Sequence, residues 1–272
     1  MIAASNGGFP PIRCLCATLA VAISLGFGMR VHAAGEIEET DETFKSRGKD
    51  VIVDVFAPKA PGKYPAVVVL HGHGGLGEGK HSGVHQQARR LAQVGYVALV
   101  PHYFGSAVPD QKNGRKNARA FEVWVRNVSD TVGYAARRPN TDPKRIGVVG
   151  FSLGGYVSLS VAARDRRVSA VVENFGGLPQ HEILDWSRLP PVLILHGDAD
   201  RVVSVEEAHR LDELLDRVNV NHEIKIYNGA GHGFRGDDYT DAFKRTLDFL
   251  NQYVKREPAA APDDRKAAGN SD

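Results

Sequence analysis

The 272-residue chain has only two cysteines, Cys14 and Cys16, and both lie close to its start. The body of the chain therefore holds no disulfide framework, no thiolate metal site and no cysteine nucleophile. A charge surplus is missing as well. The whole chain carries 34 basic and 32 acidic residues, and the first 33 residues contain two of the basic ones, Arg13 and Arg30, and no acid. The remainder is neutral, without a general electrostatic pull toward nucleic acid or an anionic membrane, so neither is expected as a partner. There is no internal repeat. The apolar run CLCATLAVAISLGFGM at 14–29 is interrupted by Ser24, Gly26 and Gly28, and it is short for a membrane span of about 20 residues.

That run has another reading. Arg13 precedes it, and Val31 and Ala33 place small residues ahead of a cleavable bond. This is the layout of a secretory signal over 1–33, preferred here to a membrane anchor. The protein is expected to be exported, to the periplasm or the medium, with cleavage after Ala33 removing both cysteines. Residues 34–256 are read as a single domain and 257–272, EPAAAPDDRKAAGNSD, as a disordered tail. An exported chain without disulfides must be held by its core, and this length permits a large one.

Residues 35–50 are acidic and polar and read as a poorly packed lead-in. From there strands and helices alternate. DVIVDVFAP at 50–58 alternates apolar with polar, as a half-exposed antiparallel strand does. The continuous β-branched run at 65–71 reads as a buried strand, as do 96–101, 168–176 and 190–198, with further strands at 145–151 and 222–228. Helical spacing marks 84–95, 118–139, 153–163, 205–218 and 239–255. The alternation predicts an α/β fold: a mostly parallel central sheet with helices on both faces. Ligands of such sheets bind at the carboxyl ends of the strands.

The chemistry-bearing motifs sit at those ends. RIGVVGF runs directly into GFSLGG at 150–155, and a helix follows. A strand–turn–helix this tight needs glycine beside the serine, and it pushes Ser152 above the sheet. Leu153 then offers a backbone N–H at a helix N-terminus to a developing oxyanion. A serine hydroxyl needs a base, and the base an orienting acid. The strand PVLILHG ends in DADRVV, from which Asp200 is chosen as the acid, with Asp198 the nearer alternative, better suited to bracing the turn. HEIKIYN ends in GAGHGF and supplies His232. HGHGG at 71–75 can turn a second donor, the His73 N–H, toward the same oxyanion. A rival reading takes His71, His73, His81 and His85 as zinc ligands. No metal or other cofactor is assigned, because the loop is where glycines and backbone donors are needed.

PAVVVLHGHGGL, GYVALVPHYFG, RIGVVGFSLGG, VLILHGDADRVV, YNGAGHGF and RTLDFL together resemble the dienelactone hydrolase family of α/β-hydrolases, over about residues 50–255. The resemblance implies an α/β-hydrolase fold, Ser152, Asp200 and His232 as a catalytic triad, and Leu153 and His73 as oxyanion donors. It implies a small-molecule ester or lactone substrate, held in the family by arginines; Arg119 and Arg235 lie in similar regions. Two positions depart from the family pattern. The founding members carry cysteine where Ser152 stands, and a glutamate where Gly72 stands, so this chain is expected to act as a serine esterase without thiol gating. The connection 176–190 is too short for a large lid, and Phe104, Phe151 and Trp186 are candidates for the wall of an open pocket. The same triad also fits a peptidase of the prolyl-oligopeptidase kind, an acetyl-sugar esterase, or an inert hydrolase-like binding protein. The sequence is silent on oligomeric state.

Overall fold

The computed structural model describes residues 35–77, 79–105, 114–179 and 184–255. The expected signal segment 1–33 and tail 257–272 lie outside the described residues. Eight strands form one sheet: β1 (Ile37–Ser46), β2 (Lys49–Pro58), β3 (Tyr64–Leu70), β4 (Val97–Pro101), β5 (Thr141–Phe151), β6 (Val168–Asn174), β7 (Val192–Gly197) and β8 (His222–Tyr227). Their order is β1-β2-β4-β3-β5-β6-β7-β8. The pairs β1–β2 and β2–β4 are antiparallel, and all pairs from β4–β3 to β7–β8 are parallel. Five helices connect them: α1 (Gly83–Gln93), α2 (Gly114–Arg137), α3 (Leu153–Ala162), α4 (Glu206–Arg217) and α5 (Gly236–Leu250), the last running into a π turn at Asn251–Lys255. Among the described residues no helix is long and apolar enough to cross a membrane.

The pleat divides the core in two. Val68, Leu70, Val148, Val171 and Ile194 face α2, α3 and α4. Val67, Val69, Val149, Val172 and Leu195 face α1 and α5. Ala66 through Leu70 of β3 are all fully buried, so a register slip there would move every side chain into the wrong layer. At about 1.5–3 kcal/mol for each large apolar side chain, such a slip is strongly disfavoured.

The lead-in expected at 35–50 is instead a ten-residue edge strand. β1 pairs with β2 from Ile37–Pro58 to Ser46–Lys49. Glu38, Glu39 and Asp41, which argue against packing, are exposed; Glu42 is half-buried and accepts from Tyr134 of α2 and from Arg138 just after it, and Phe44 and Ser46 are buried. Phe44 stacks on Tyr134 of α2 at 4.9 Å, and the Ser46 hydroxyl donates to Asp130 Oδ2 at 2.6 Å. Charged side chains on an edge strand also block edge-to-edge pairing.

Four histidines of the 71–85 segment go to different places. His71 is buried and stacks on Tyr103 at 4.2 Å, while His73 and His81 are exposed. His85 is buried: its Nε2 donates to Asp54 Oδ2 at 2.8 Å, and Ser82, the N-cap of α1, meets its Nδ1 at 2.8 Å. His102 Nε2 donates to the same Asp54 oxygen at 3.0 Å. Asp54 thus ties α1 and the end of β4 to β2. Its burial pushes the carboxyl pKa up, but hydrogen bonds from His102 and His85 outweigh this and hold it well below the usual carboxylate range. A depressed carboxyl stabilises the fold at pH values above the ordinary Asp range, and the stabilisation is lost as pH falls toward the folded-state pKa. Asp54→Ala is expected to cost about 2–4 kcal/mol at neutral pH by leaving His85 buried without its partner. Denaturant midpoints measured down to acid pH check this, and the gap to wild type should shrink below about pH 4.

Candidate active site

β5 ends in a turn with no room to spare. Ser152 adopts φ 55° and ψ −119°, a strained region for a residue with a side chain, at a cost of about 1–3 kcal/mol. A Cβ on Gly150 would run into the Gly154 carbonyl, and one on Gly154 would lie 2.7 Å from the carbonyl oxygens of both Leu70 and His71. Glycine at these two positions is what lets the chain reverse between β5 and α3. The turn is pinned by Ser152 N–H donating to Asn174 O at 2.9 Å and Gly155 N–H donating to Ser152 O at 2.8 Å.

Two loops from neighbouring strand ends converge on this serine. His232 Nε2 stands 3.0 Å from Ser152 Oγ, and His232 Nδ1–H donates to Asp200 Oδ2 at 2.7 Å. The carboxylate on Nδ1 selects the tautomer that leaves Nε2 free to accept the serine proton. Asp200 Oδ1 accepts from Val202 N–H at 2.8 Å and Val203 N–H at 2.9 Å, and its side chain has no exposed surface. Burial raises its pKa, but the Val203 N–H, His232 and the Val202 N–H together bring it below the ordinary value. Asp198 is directed elsewhere: its Oδ1 accepts from Gly229 N–H at 2.6 Å and braces the turn.

The 71–75 loop lies over the serine. A Cβ on Gly72 would sit 3.2 Å from Ser152 Cβ and 3.7 Å from Oγ, so a side chain at this position would confront the hydroxyl directly. His73 follows Gly72, and Leu153 opens α3, where the first N–H groups have no partner within the helix. Burial lowers His71 to about 4, against the opposing hydrogen bond from its Nδ1–H to Gly72 O, so the imidazole beneath this loop is neutral.

The sequence profile of the dienelactone hydrolase family matches residues 35–255. The chain belongs to the dienelactone hydrolase family. It is similar to a Yersinia pestis protein provisionally named carboxymethylenebutenolidase, 27% identical over 240 residues, 78% of this chain and 88% of the relative. It is also similar to Protein usf of Aquifex pyrophilus, 27% identical over 227 residues, 78% of this chain and 97% of the relative. A solved structure of a provisionally assigned dienelactone hydrolase from Klebsiella pneumoniae has a TM-score of 0.69 at 24% identity, covering 80% of this chain and 100% of the other, a likeness of fold. Membership of the dienelactone hydrolase family makes this protein a hydrolase of esters or lactones.

Within this family member the expected substrate contacts divide. Phe104 packs edge-on to His71 at 4.6 Å and reaches Gly75 of the loop over Ser152, so it borders the site. Trp186, in a 3-10 turn at Trp186–Arg188, packs half-buried against the core. Arg119 on α2 and Arg235 at the start of α5 are exposed. Part of the connection between β6 and β7, residues 180–183, lies outside the described residues.

Sequence reasoning passed over Phe175, whose ring meets His232 at 4.9 Å and 68° and Phe151 at 5.9 Å. It also passed over His196, buried beside Asp200 at 3.5 Å, and Glu173. A glutamate inside the apolar strand VSAVVEN was the available signal. Among the described residues, Asp212, Asp216 and His222 are the group close enough to share a metal ion. They lie on α4 and β8, and the 3.0 Å contact of His222 with Asp212 is one that an imidazole N–H and a carboxylate make unaided.

Proposed function

We propose that this protein cleaves carboxylic esters or lactones as a serine hydrolase, through an acyl-enzyme on Ser152. The observation that carries this reading is the continuous hydrogen-bond chain from Ser152 Oγ through His232 to Asp200. Ser152 Oγ attacks the substrate carbonyl while its proton passes to His232 Nε2, and Asp200 stabilises the imidazolium. The backbone N–H groups of Leu153 and His73 hold the oxyanion. His232 then gives the proton to the leaving alkoxide, and the acyl-enzyme forms. Water repeats the sequence: His232 takes its proton, hydroxide adds to the acyl carbon, and Ser152 leaves with the proton returned. No step needs a cofactor. The leader-like segment 1–33 supports action outside the cytoplasm, on small diffusible substrates.

The experiment is a panel of short-chain esters and lactones, with intact-mass measurement of the protein during turnover. Saturable hydrolysis and a transient mass increase equal to the acyl group, lost in Ser152→Ala, are expected. Hydrolysis without any adduct, at an undiminished rate in the variant, would overturn the reading.

A further inference from the structure

Glu173 is a fully buried ionisable group that the reaction above does not use. It has no exposed surface, and it stands on β6 between Gly150 of β5 and Ile194 of β7. Its Oε1 accepts a short hydrogen bond from Gly176 N–H. Its Oε2 has no hydrogen-bond partner. A leucine would fill the same space without the unpaired Oε2 but would leave the Gly176 N–H without its acceptor, so the hydrogen bond to Gly176 is what the carboxyl specifically contributes.

That bond closes a four-residue turn which touches both halves of the site. Asn174 O accepts the Ser152 N–H, and Asn174 Nδ2–H donates to Gly150 O at 3.2 Å. Phe175 is held at φ 41°, a left-handed conformation uncommon for an aromatic residue, and in it the ring lies against His232 and Phe234. Gly176 approaches so closely that a Cβ there would be 2.7 Å from Ser152 O and 3.2 Å from the Gly155 Cα. We propose that Glu173 is a positioning residue, whose buried carboxyl locks the 173–176 turn and through it sets Ser152 and the ring of His232 against each other. This rests on the reading of Ser152 as nucleophile.

The protonation state follows from the surroundings. Tyr156 of α3 faces Glu173 together with Glu207 of α4 and Asp200 of the loop after β7; burial first, then these three carboxylates, push the Tyr156 hydroxyl well above its ordinary range. Glu207 is paired with Arg210 at 2.7 Å. His196 of β7, buried on the same side of the sheet, is lowered chiefly by burial and is neutral. Gly150 on β5 brings no charge. Among the described residues no cation pairs with Glu173, and burial pushes its carboxyl up to about 8 against the opposing Gly176 N–H. The carboxyl is then neutral at pH 7, and its ionisation places an unpaired charge under the elbow.

The test is kcat and KM of the full-length protein on a p-nitrophenyl ester from about pH 6 to pH 10 for wild type, Glu173→Gln, Glu173→Leu and Ser152→Ala, with thermal midpoints at each pH. Glu173→Gln keeps the hydrogen bond. It is expected to match wild type at neutral pH and to stay flat above about pH 8, where wild type declines. Glu173→Leu is expected to lose about 10- to 100-fold in kcat with little change in KM. Wild-type kcat in the leucine variant, or the same alkaline decline in the glutamine variant, overturns the proposal. Should the leucine variant fail to fold, the alkaline limb of the glutamine variant still decides. Ser152→Ala separates the two levels: if it is as active as wild type, the nucleophile reading falls; if it is inactive and Glu173→Leu is unimpaired, the Glu173 proposal falls alone.

Discussion

Ser152→Ala is expected to fold like the wild type and to lose about 10^5- to 10^6-fold in kcat. The fold is preserved because what the turn demands is met elsewhere. Gly150 and Gly154 make the close approaches, and the bonds that pin position 152 use its backbone N–H and carbonyl. Alanine accepts the same φ of 55° at the same steric cost. Only the hydroxyl is removed, and with it the atom 3.0 Å from His232 Nε2. The remaining rate over water would come from the oxyanion donors and substrate binding. Active-site titration with a fluorophosphonate checks the assignment directly: wild type is labelled at Ser152 and the variant is not. Labelling of the variant at another serine, with activity retained, would move the nucleophile.

Asp200→Asn is expected to cost about 10^4-fold in kcat with little loss of stability. Asp200 Oδ1 already accepts the Val202 and Val203 N–H groups. An asparagine carbonyl takes that role without rearrangement, which turns the amide N–H2 toward His232 Nδ1. His232 must then accept at Nδ1 and carry its proton on Nε2, facing Ser152 Oγ, where it cannot serve as a base. The carboxylate that stabilises the imidazolium is lost as well. Steady-state kinetics at neutral pH with a thermal melt of the same sample tests this; kcat within tenfold of wild type would show that Asp200 does not fix the tautomer. Asp198→Asn serves as the contrast, because Asp198 meets Gly229 N–H and not the histidine.

Much of this arrangement is legible in the sequence because burial on two faces writes itself as unbroken apolar runs. The runs at 65–71, 96–101, 145–151 and 190–198 each fall on a strand; Ser152 and Asp200 follow the ends of two of them, and His232 follows the end of β8. Edge strands leave no such mark. β1 has one inward side, and its Glu38, Glu39 and Asp41 face solvent, so IEETDETFKS looks like a linker until β2 is present to receive its hydrogen bonds. Helix ends shift by a few residues for a similar reason: α2 begins at Gly114, ahead of the apolar spacing that starts near 118.

The sequence by itself determined the alternation of strand and helix, the tight glycine turn around Ser152 and the chemical types available at the strand ends, because these depend on local sterics and on which residues avoid water. The sequence favours Asp200 over Asp198, two residues apart in one turn, but only the tertiary structure shows which carboxylate points at a histidine 32 positions away. The tertiary structure alone separated the histidines of the 71–85 segment into a stacked ring, two exposed side chains and a partner for Asp54. It alone placed Glu173 beneath the elbow and Phe175 against His232. A hydrogen bond is directional over about 3 Å, and residues distant along the chain reach that range only once the sheet has set its register.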